Sequence, residues 1–227
     1  MDRRHFLQAA VTTGVASTAG CLESLPGLGD SRTVLNAPEQ DLSAAAHPSH
    51  GDELPQMSFP DPLLNEKIST TSFEGERALL LTFFYTNCPD GMCPALTLRL
   101  RRAQEVADQN RYADDVAFLA TTFDPERDTE EVLRAYAAEQ GIDAGAENWH
   151  FMRPKRYEEG ATFIEAEYGL RIEKVETGEF ENIGYGFPHY NLILLVNRNG
   201  VVERAYPNGA TVEIDRVIED FETVVGR

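Results

Sequence analysis

Two cysteines separated by four residues carry the most evident chemistry of the sequence: Cys88 and Cys93, in Tyr85-Thr86-Asn87-Cys88-Pro89-Asp90-Gly91-Met92-Cys93-Pro94. A thiol at the start of a helix meets free backbone N–H groups and the positive end of the helix dipole. Both favour the thiolate, the form that attacks disulfides and binds soft metals. Two such groups on one tight turn could close a reversible disulfide or grip Cu(I), which prefers sulfur. A structural disulfide across this short loop, or two inert buried thiols, are the plainer alternatives. Met92 offers a thioether, although a methionine in a first helical turn more often packs. Asp90 is placed either to tune the thiols electrostatically or to lie solvated in the turn.

The pair needs a rigid platform, and the flanking sequence supplies one. Residues 78–85 form a near-continuous apolar run, the mark of a strand buried on both faces of a sheet. A helix is expected over residues 94–110, with Leu96, Leu100, Ala103 and Ala107 on one side and Pro94 suited to its first turn. The cysteines therefore fall at the carboxyl end of a strand, where ligand sites of α/β sheets form. Residues 116–123 read as a second strand. Asp128 reads as the N-cap of a helix running to Gln140, with Glu131 three positions on and Gly141 as its stop.

Residues 149–152 are expected to be a short strand, on which His150 alternates with apolar neighbours and points outward. Residues 157–168 read as a helix. Two strands, 192–196 and 201–206, flank Asn197-Arg198-Asn199-Gly200 and make a hairpin. A last helix begins near Thr211, with Ile214, Val217, Ile218, Phe221 and Val225 facing inward. The layout is α/β, a mixed central sheet flanked by helices, formed by residues 56–227. Residues 172–187 fit it as an inserted β-ribbon or loop ahead of the hairpin, long enough to be a binding feature or a flap. His189 follows Pro188 just before the hairpin; by position alone it would be a structural or solvated histidine.

The third cysteine is expected to have another role, an amphipathic first helix that buries it being the plainer alternative. Residues 1–21 carry Arg3-Arg4, Phe6-Leu7, a mild apolar stretch and Ser17-Thr18-Ala19-Gly20-Cys21. This pattern is that of a twin-arginine export signal ending at a lipoprotein cleavage box, with Cys21 as the lipid anchor. Residues 22–55, rich in Gly, Pro, Ser and Asp, read as a flexible tether. Their His47 and His50 could hold a metal, but read more simply as solvated. The domain would then sit on the extracytoplasmic face of the membrane.

Composition sets the remaining bounds. With 227 residues, 42% of them hydrophobic, the chain has material for a real core and is not wholly disordered. No run reaches the roughly 18–20 apolar residues of a membrane-spanning helix. A net charge of −18 argues against nucleic acid as a partner. Only three of the 20 basic residues are lysine (Lys67, Lys155 and Lys174), a balance suited to a halophilic surface whose self-repulsion salt screens.

Taken in order, several segments resemble the Sco/SenC family. They are Phe84 through Pro94 with both cysteines, Phe123-Asp124-Pro125-Glu126-Arg127-Asp128-Thr129, Trp149, and His189 just ahead of its strand. The resemblance covers roughly residues 56–225. It departs from the family in one respect, a four-residue spacer between the cysteines where three are usual; Gly91 can absorb the extra backbone.

The resemblance implies a thioredoxin-like fold. It further implies copper, Cu(I) or Cu(II), held by Cys88, Cys93 and His189, and a role in assembling the copper centre of cytochrome c oxidase. The implied partner is the copper-bearing oxidase subunit or another exported copper or thiol protein. It also makes Phe187-Pro188 a candidate cis peptide packed by the cysteines. A second function overlaps with the first: Cys88 and Cys93 as the redox pair of a thiol–disulfide oxidoreductase, with Asp124 as a candidate proton handler. A peroxiredoxin-like peroxidase is a third, for which a cysteine directly before Pro94 would be an odd peroxidatic site.

Overall fold

The computed structural model describes residues 32–176, 184–188 and 191–226. Its centre is a five-stranded sheet in the order β5-β4-β3-β8-β9, built from β3 (Ala78–Phe84), β4 (Val116–Thr122), β5 (Trp149–Met152), β8 (Ile193–Val196) and β9 (Val202–Tyr206). β3, β4 and β5 run parallel, and β8 and β9 close the other side antiparallel. Every residue of β3 and β4 is buried, which is why both are mostly apolar without alternation, the threonines Thr82, Thr121 and Thr122 included.

Successive residues of β3 serve opposite faces. Phe83 packs edge-on to Tyr168 of α3 (Tyr157–Tyr168), whereas Phe84 turns to Tyr136 of α2 (Glu130–Gln140). On the face of Phe118 lies α4 (Ile214–Val225), which buries Val217, Phe221, Val224 and Val225 at helical spacing. The longest helix, α1 (Met92–Asn110), buries Leu96, Leu100, Ala103 and Ala107 as its sequence foretold. Among the described residues no helix is long and apolar enough to cross a membrane.

Two expectations about the periphery are corrected. A hairpin of β1 (Ser58–Asp61) and β2 (Glu66–Ser69) precedes β3. Its strands are short and Pro60 interrupts one of them, so no alternation announced it. It covers β5: the amide of Phe151 donates to the Asp61 carboxylate at 3.1 Å, and that of Arg153 to the Pro60 carbonyl at 2.8 Å. His150 is consequently buried rather than outward, 5% exposed, with Phe73 and the Asp61 carboxylate as neighbours.

The second correction concerns the tether. Residues 32–55 do not trail from the domain but lie against β9. Glu203, fully buried on β9, accepts the amides of Val34 and Leu35 at 2.7 and 2.8 Å, together with the Asn197 side-chain amide at 2.5 Å. Gly51 and Leu54 donate to the carbonyls of Val202 and Gly200. Polar composition suggested disorder, but the buried carboxylate satisfies the backbone donors that a coil would leave to water. His47 and His50 turn separately to the carbonyls of Pro48 and Leu35.

Ahead of β8, the segment expected to be a ribbon or loop forms one pair of short antiparallel strands, β6 (Val175–Glu176) and β7 (Tyr185–Gly186).

Candidate functional site

β3 delivers the chain to the site. After Phe84 the backbone leaves the sheet, turns through Thr86, Asn87 and Cys88, and enters α1 at Gly91, its N-cap. Gly91 sits at φ +74°, a conformation that side-chain-bearing residues rarely adopt, so the extra spacer residue is accommodated where only glycine is free to turn. Cys93 is the second residue of α1, and its amide N–H points to the Cys88 sulfur at 3.4 Å. Both residues are thiols. The Cys93 sulfur accepts the Tyr85 amide at 3.4 Å, while the Cys88 thiol donates to Asp90 Oδ1 at 2.9 Å, which also accepts the Met92 amide.

The two thiols are unequal. Cys88 is half-buried and Cys93 has no exposed surface. Burial pushes the Cys93 thiol well above its ordinary pKa, and the neighbouring Cys88 adds to the shift. The helix N-terminus therefore serves Cys88, which receives the helix amide, and desolvation overrides it at Cys93. Tyr85 forms the wall behind them. Burial first, then the charge of Cys88, raises its phenol, whose oxygen takes a hydrogen bond from the backbone of Phe187.

Asp128 braces the cysteine loop from below. Expected as a helix N-cap, it is instead fully buried and accepts the Thr86 amide at 3.2 Å, the Thr86 hydroxyl at 2.5 Å and the Thr122 hydroxyl. The capping falls to Thr129, whose hydroxyl accepts the Val132 amide. Desolvation raises the Asp128 carboxyl from 3.8 to about 6, against the lowering effect of both threonines. Between about pH 4 and 6 the folded chain thus holds a proton that the unfolded chain has released. Stability from this group falls as pH rises through that window, by about 3 kcal/mol in all. Asp128→Asn removes the titration. Denaturation midpoints of the wild type should therefore lose ground to those of the variant between pH 4 and pH 7; a constant difference would refute the shift.

Asp124, likewise fully buried, pairs with the Arg127 Nε. It accepts the Tyr185 hydroxyl from β7 at 3.0 Å, so it stands in a charged brace with Arg127 and Tyr185. Phe187 then sits in a ring cluster with Tyr85, Phe123, Tyr157 and Tyr185, at centroid distances of 5.1–5.6 Å. The Phe187–Pro188 peptide, a candidate for the cis form, is trans.

The sequence thus located the dithiol and its platform, and the structure brings Cys88 and Cys93 together. His189 and Cys21 lie outside the described residues. Among the described residues no three His, Cys, Asp or Glu side chains converge as a metal site would require. The Asp128–Thr86 contact and the grip of Arg127 on Tyr185 were not foreseen. Their signal was present in Asp124-Pro125-Glu126-Arg127-Asp128-Thr129, whose two aspartates read as a candidate proton handler and a helix cap.

A parallel strand ending in a two-cysteine turn at a helix N-terminus, with two antiparallel strands completing the sheet, defines a thioredoxin-like dithiol protein. Residues 64–226 match the SCO1/SenC family model, and the chain belongs to that family. A SCO1 protein homolog of Bacillus subtilis is 26% identical over 158 residues, 70% of this chain and 76% of the relative. The crystal structure of a SCO1/SenC family lipoprotein from Bacillus anthracis is similar at a TM-score of 0.61 and 22% identity, covering 76% of this chain and 94% of that one. ScoI of Bradyrhizobium japonicum, solved with copper bound, is similar at a TM-score of 0.57 and 22% identity over 76% of this chain and 99% of that one. At these identities the solved structures establish the shared fold.

Proposed function

We propose that this protein is a copper-binding assembly factor for cytochrome c oxidase. Cys88 and Cys93 bind copper as thiolates, and His189 supplies a nitrogen ligand. The observation that carries the reading is the dithiol itself: two soft donors on one turn, with the Cys93 amide directed at the Cys88 sulfur. That donor set fits Cu(I), which favours thiolate and accepts imidazole. Copper is cargo in this role, received by the dithiol and passed to the copper-bearing oxidase subunit. The copper-bound relative from Bradyrhizobium japonicum supports the metal, and the lipoprotein relative from Bacillus anthracis supports Cys21 as a lipid anchor on the extracytoplasmic face. The twin-arginine pattern of residues 1–21 supports export by that route.

Copper titration of the reduced chain against a chelator, with X-ray absorption to count ligands, tests this reading. Two sulfur ligands and one or more nitrogen ligands are expected. His189→Ala should lose more than the roughly 10–100-fold that follows removal of an outer-shell partner. Absence of tight Cu(I) binding by the reduced wild type would end the proposal.

A second reading, thiol–disulfide exchange, is favoured by the unequal burial of the thiols. The Cys88 thiolate would attack a partner disulfide, and Cys93 would resolve the mixed disulfide, leaving the partner reduced and Cys88–Cys93 oxidised. His189→Ala should largely spare that exchange, which separates the two activities.

A further inference from the structure

We propose that Asp128 is a positioning residue for the dithiol: by clamping Thr86 it holds the cysteine loop in register with the first turn of α1, so that the Cys88 sulfur meets the Cys93 amide. The inference rests on the reading of Cys88 and Cys93 as the working pair, and deepens it without using a metal. Thr86 is the second residue past β3 and stands two before Cys88. Its amide lies 3.2 Å from one oxygen of the Asp128 carboxylate and 3.3 Å from the other, and its hydroxyl donates to Oδ1 at 2.5 Å. The Thr122 hydroxyl donates to Oδ2. Three donors thus converge on one fully buried side chain. An ionised carboxylate is acceptor-only and can take all three, in charge-assisted bonds roughly twice as strong as neutral ones. With its carboxyl at about 6, Asp128 is ionised at neutral pH.

The clamp is anchored on the sheet and not on the loop it holds. Thr122 is the last residue of β4, and Phe123 after it gives its amide to the Phe84 carbonyl at 3.1 Å, which carries the β3–β4 pairing past the strand ends. The Asp124 amide donates to the Thr122 hydroxyl oxygen at 3.0 Å, and the Asp128 amide to the Asp124 carbonyl at 2.9 Å. The carboxylate therefore reaches Thr86 from a turn closed on β4. On the other side, α1 is set by the burial of Cys93, Leu96 and Leu100. Residues 85–91 bridge these two fixed bodies, and Gly91, at φ +74°, leaves that bridge free to swing. Its hold on α1 runs through sulfur: the Tyr85 amide donates to the Cys93 sulfur and the Cys93 amide to the Cys88 sulfur, each at 3.4 Å. Sulfur is a weak acceptor, so the register depends on the stronger grip at Thr86. Tyr136 of α2 feels the charges of Asp128, Cys88 and Cys93 alike, which places the clamp and both thiols around one ring.

The test compares three variants of the reduced full chain. Asp128→Ala removes the acceptor, Thr86→Val removes the hydroxyl donor while keeping the side chain's shape, and Thr86→Ser restores the hydroxyl. Should Asp128→Ala fail to fold, Thr86→Val decides alone. Hydrogen exchange at the Cys93 amide should run about ten-fold faster in Asp128→Ala and Thr86→Val, as loss of one hydrogen bond of ordinary net strength implies. The amides of Leu100 and Ala103, deeper in α1, should stay as in the wild type, and Thr86→Ser should match the wild type throughout. The second readout is alkylation of Cys88 by iodoacetamide from about pH 7 to about pH 10, resolved by peptide mass spectrometry. Each rate is divided by its own high-pH plateau, which cancels any change in access. With the Cys93 amide withdrawn from the sulfur, the normalised rate near pH 7 should fall about ten-fold in Asp128→Ala and Thr86→Val, and recover in Thr86→Ser. Copper enters neither readout, so a failed Cu(I) titration and a failed clamp are told apart. An unchanged value of either readout in Thr86→Val would overturn the proposal. Equal losses in Thr86→Ser, or faster exchange along the whole of α1, would overturn it too, since they would mark a general loss of stability.

Discussion

Replacing either Cys88 or Cys93 by serine should abolish tight copper retention, yet the two variants should part sharply in thiol chemistry. Loss of one thiolate leaves a single sulfur, too few to hold Cu(I) against a competing chelator. The remaining thiols, however, stand in different surroundings. In Cys93→Ser the surviving Cys88 is half-exposed and lies beside the first turn of α1. In Cys88→Ser the surviving Cys93 has no exposed surface, and its pKa is pushed up chiefly by that burial. An alkylating reagent reaches the one and is shut out from the other, whose thiol burial also keeps protonated. Near pH 7.5, alkylation of Cys88 should run about 100-fold or more faster than that of Cys93, a gap mass spectrometry would resolve. Equal rates would show that the loop opens freely, and would remove the basis for assigning Cys88 as the attacking and Cys93 as the resolving thiol.

The second large effect is expected far from the thiols, at Glu203. This carboxylate is fully buried and holds the amides of Val34 and Leu35 and the side-chain amide of Asn197. Glu203→Ala leaves the Val34 and Leu35 amides with no acceptor and the Asn197 side-chain amide with the Arg32 carbonyl alone, and each unsatisfied buried group costs roughly 1–3 kcal/mol. The cheaper response is for residues 32–36 to peel away, which caps the total at about 3 kcal/mol. Hydrogen exchange at Val34 and Leu35 should then approach the free-chain rate, and protease should cut within residues 36–47. The amides of β3 and β4 should stay protected, since their bonds lie in the sheet interior. Unchanged protection of Val34 and Leu35 in the variant would refute the strap.

Elements specified by neighbouring residues were legible in the sequence itself. α3 spans Tyr157–Tyr168 as its sequence implied, and the Asn197–Gly200 turn sits where an Asn-Gly pair placed it. The dithiol was legible for the same reason, since strand, turn and helix N-terminus are contiguous in the chain. What escaped depends on partners distant in sequence. His150 alternates with apolar neighbours as an outward residue would, and is buried because the β1–β2 hairpin lies over β5. Asp128 carries the signature of a cap, but Thr86 and Thr122 outcompete the helix for its carboxylate. Residues 32–55 have the composition of a coil, and one glutamate on β9 reverses that outcome. No window of sequence holds both halves of such a contact.

The docking of residues 32–55 also bears on distance. If Cys21 carries a lipid, as proposed, only residues 22–31 separate the bilayer from the first docked residue, Arg32. However those residues run, they can span no more than roughly 40 Å, against roughly 120 Å for a leash reaching to residue 55. The protein would then work within a thin shell above its membrane, and copper or electrons could pass only to a recipient that presents its own site at a matching height.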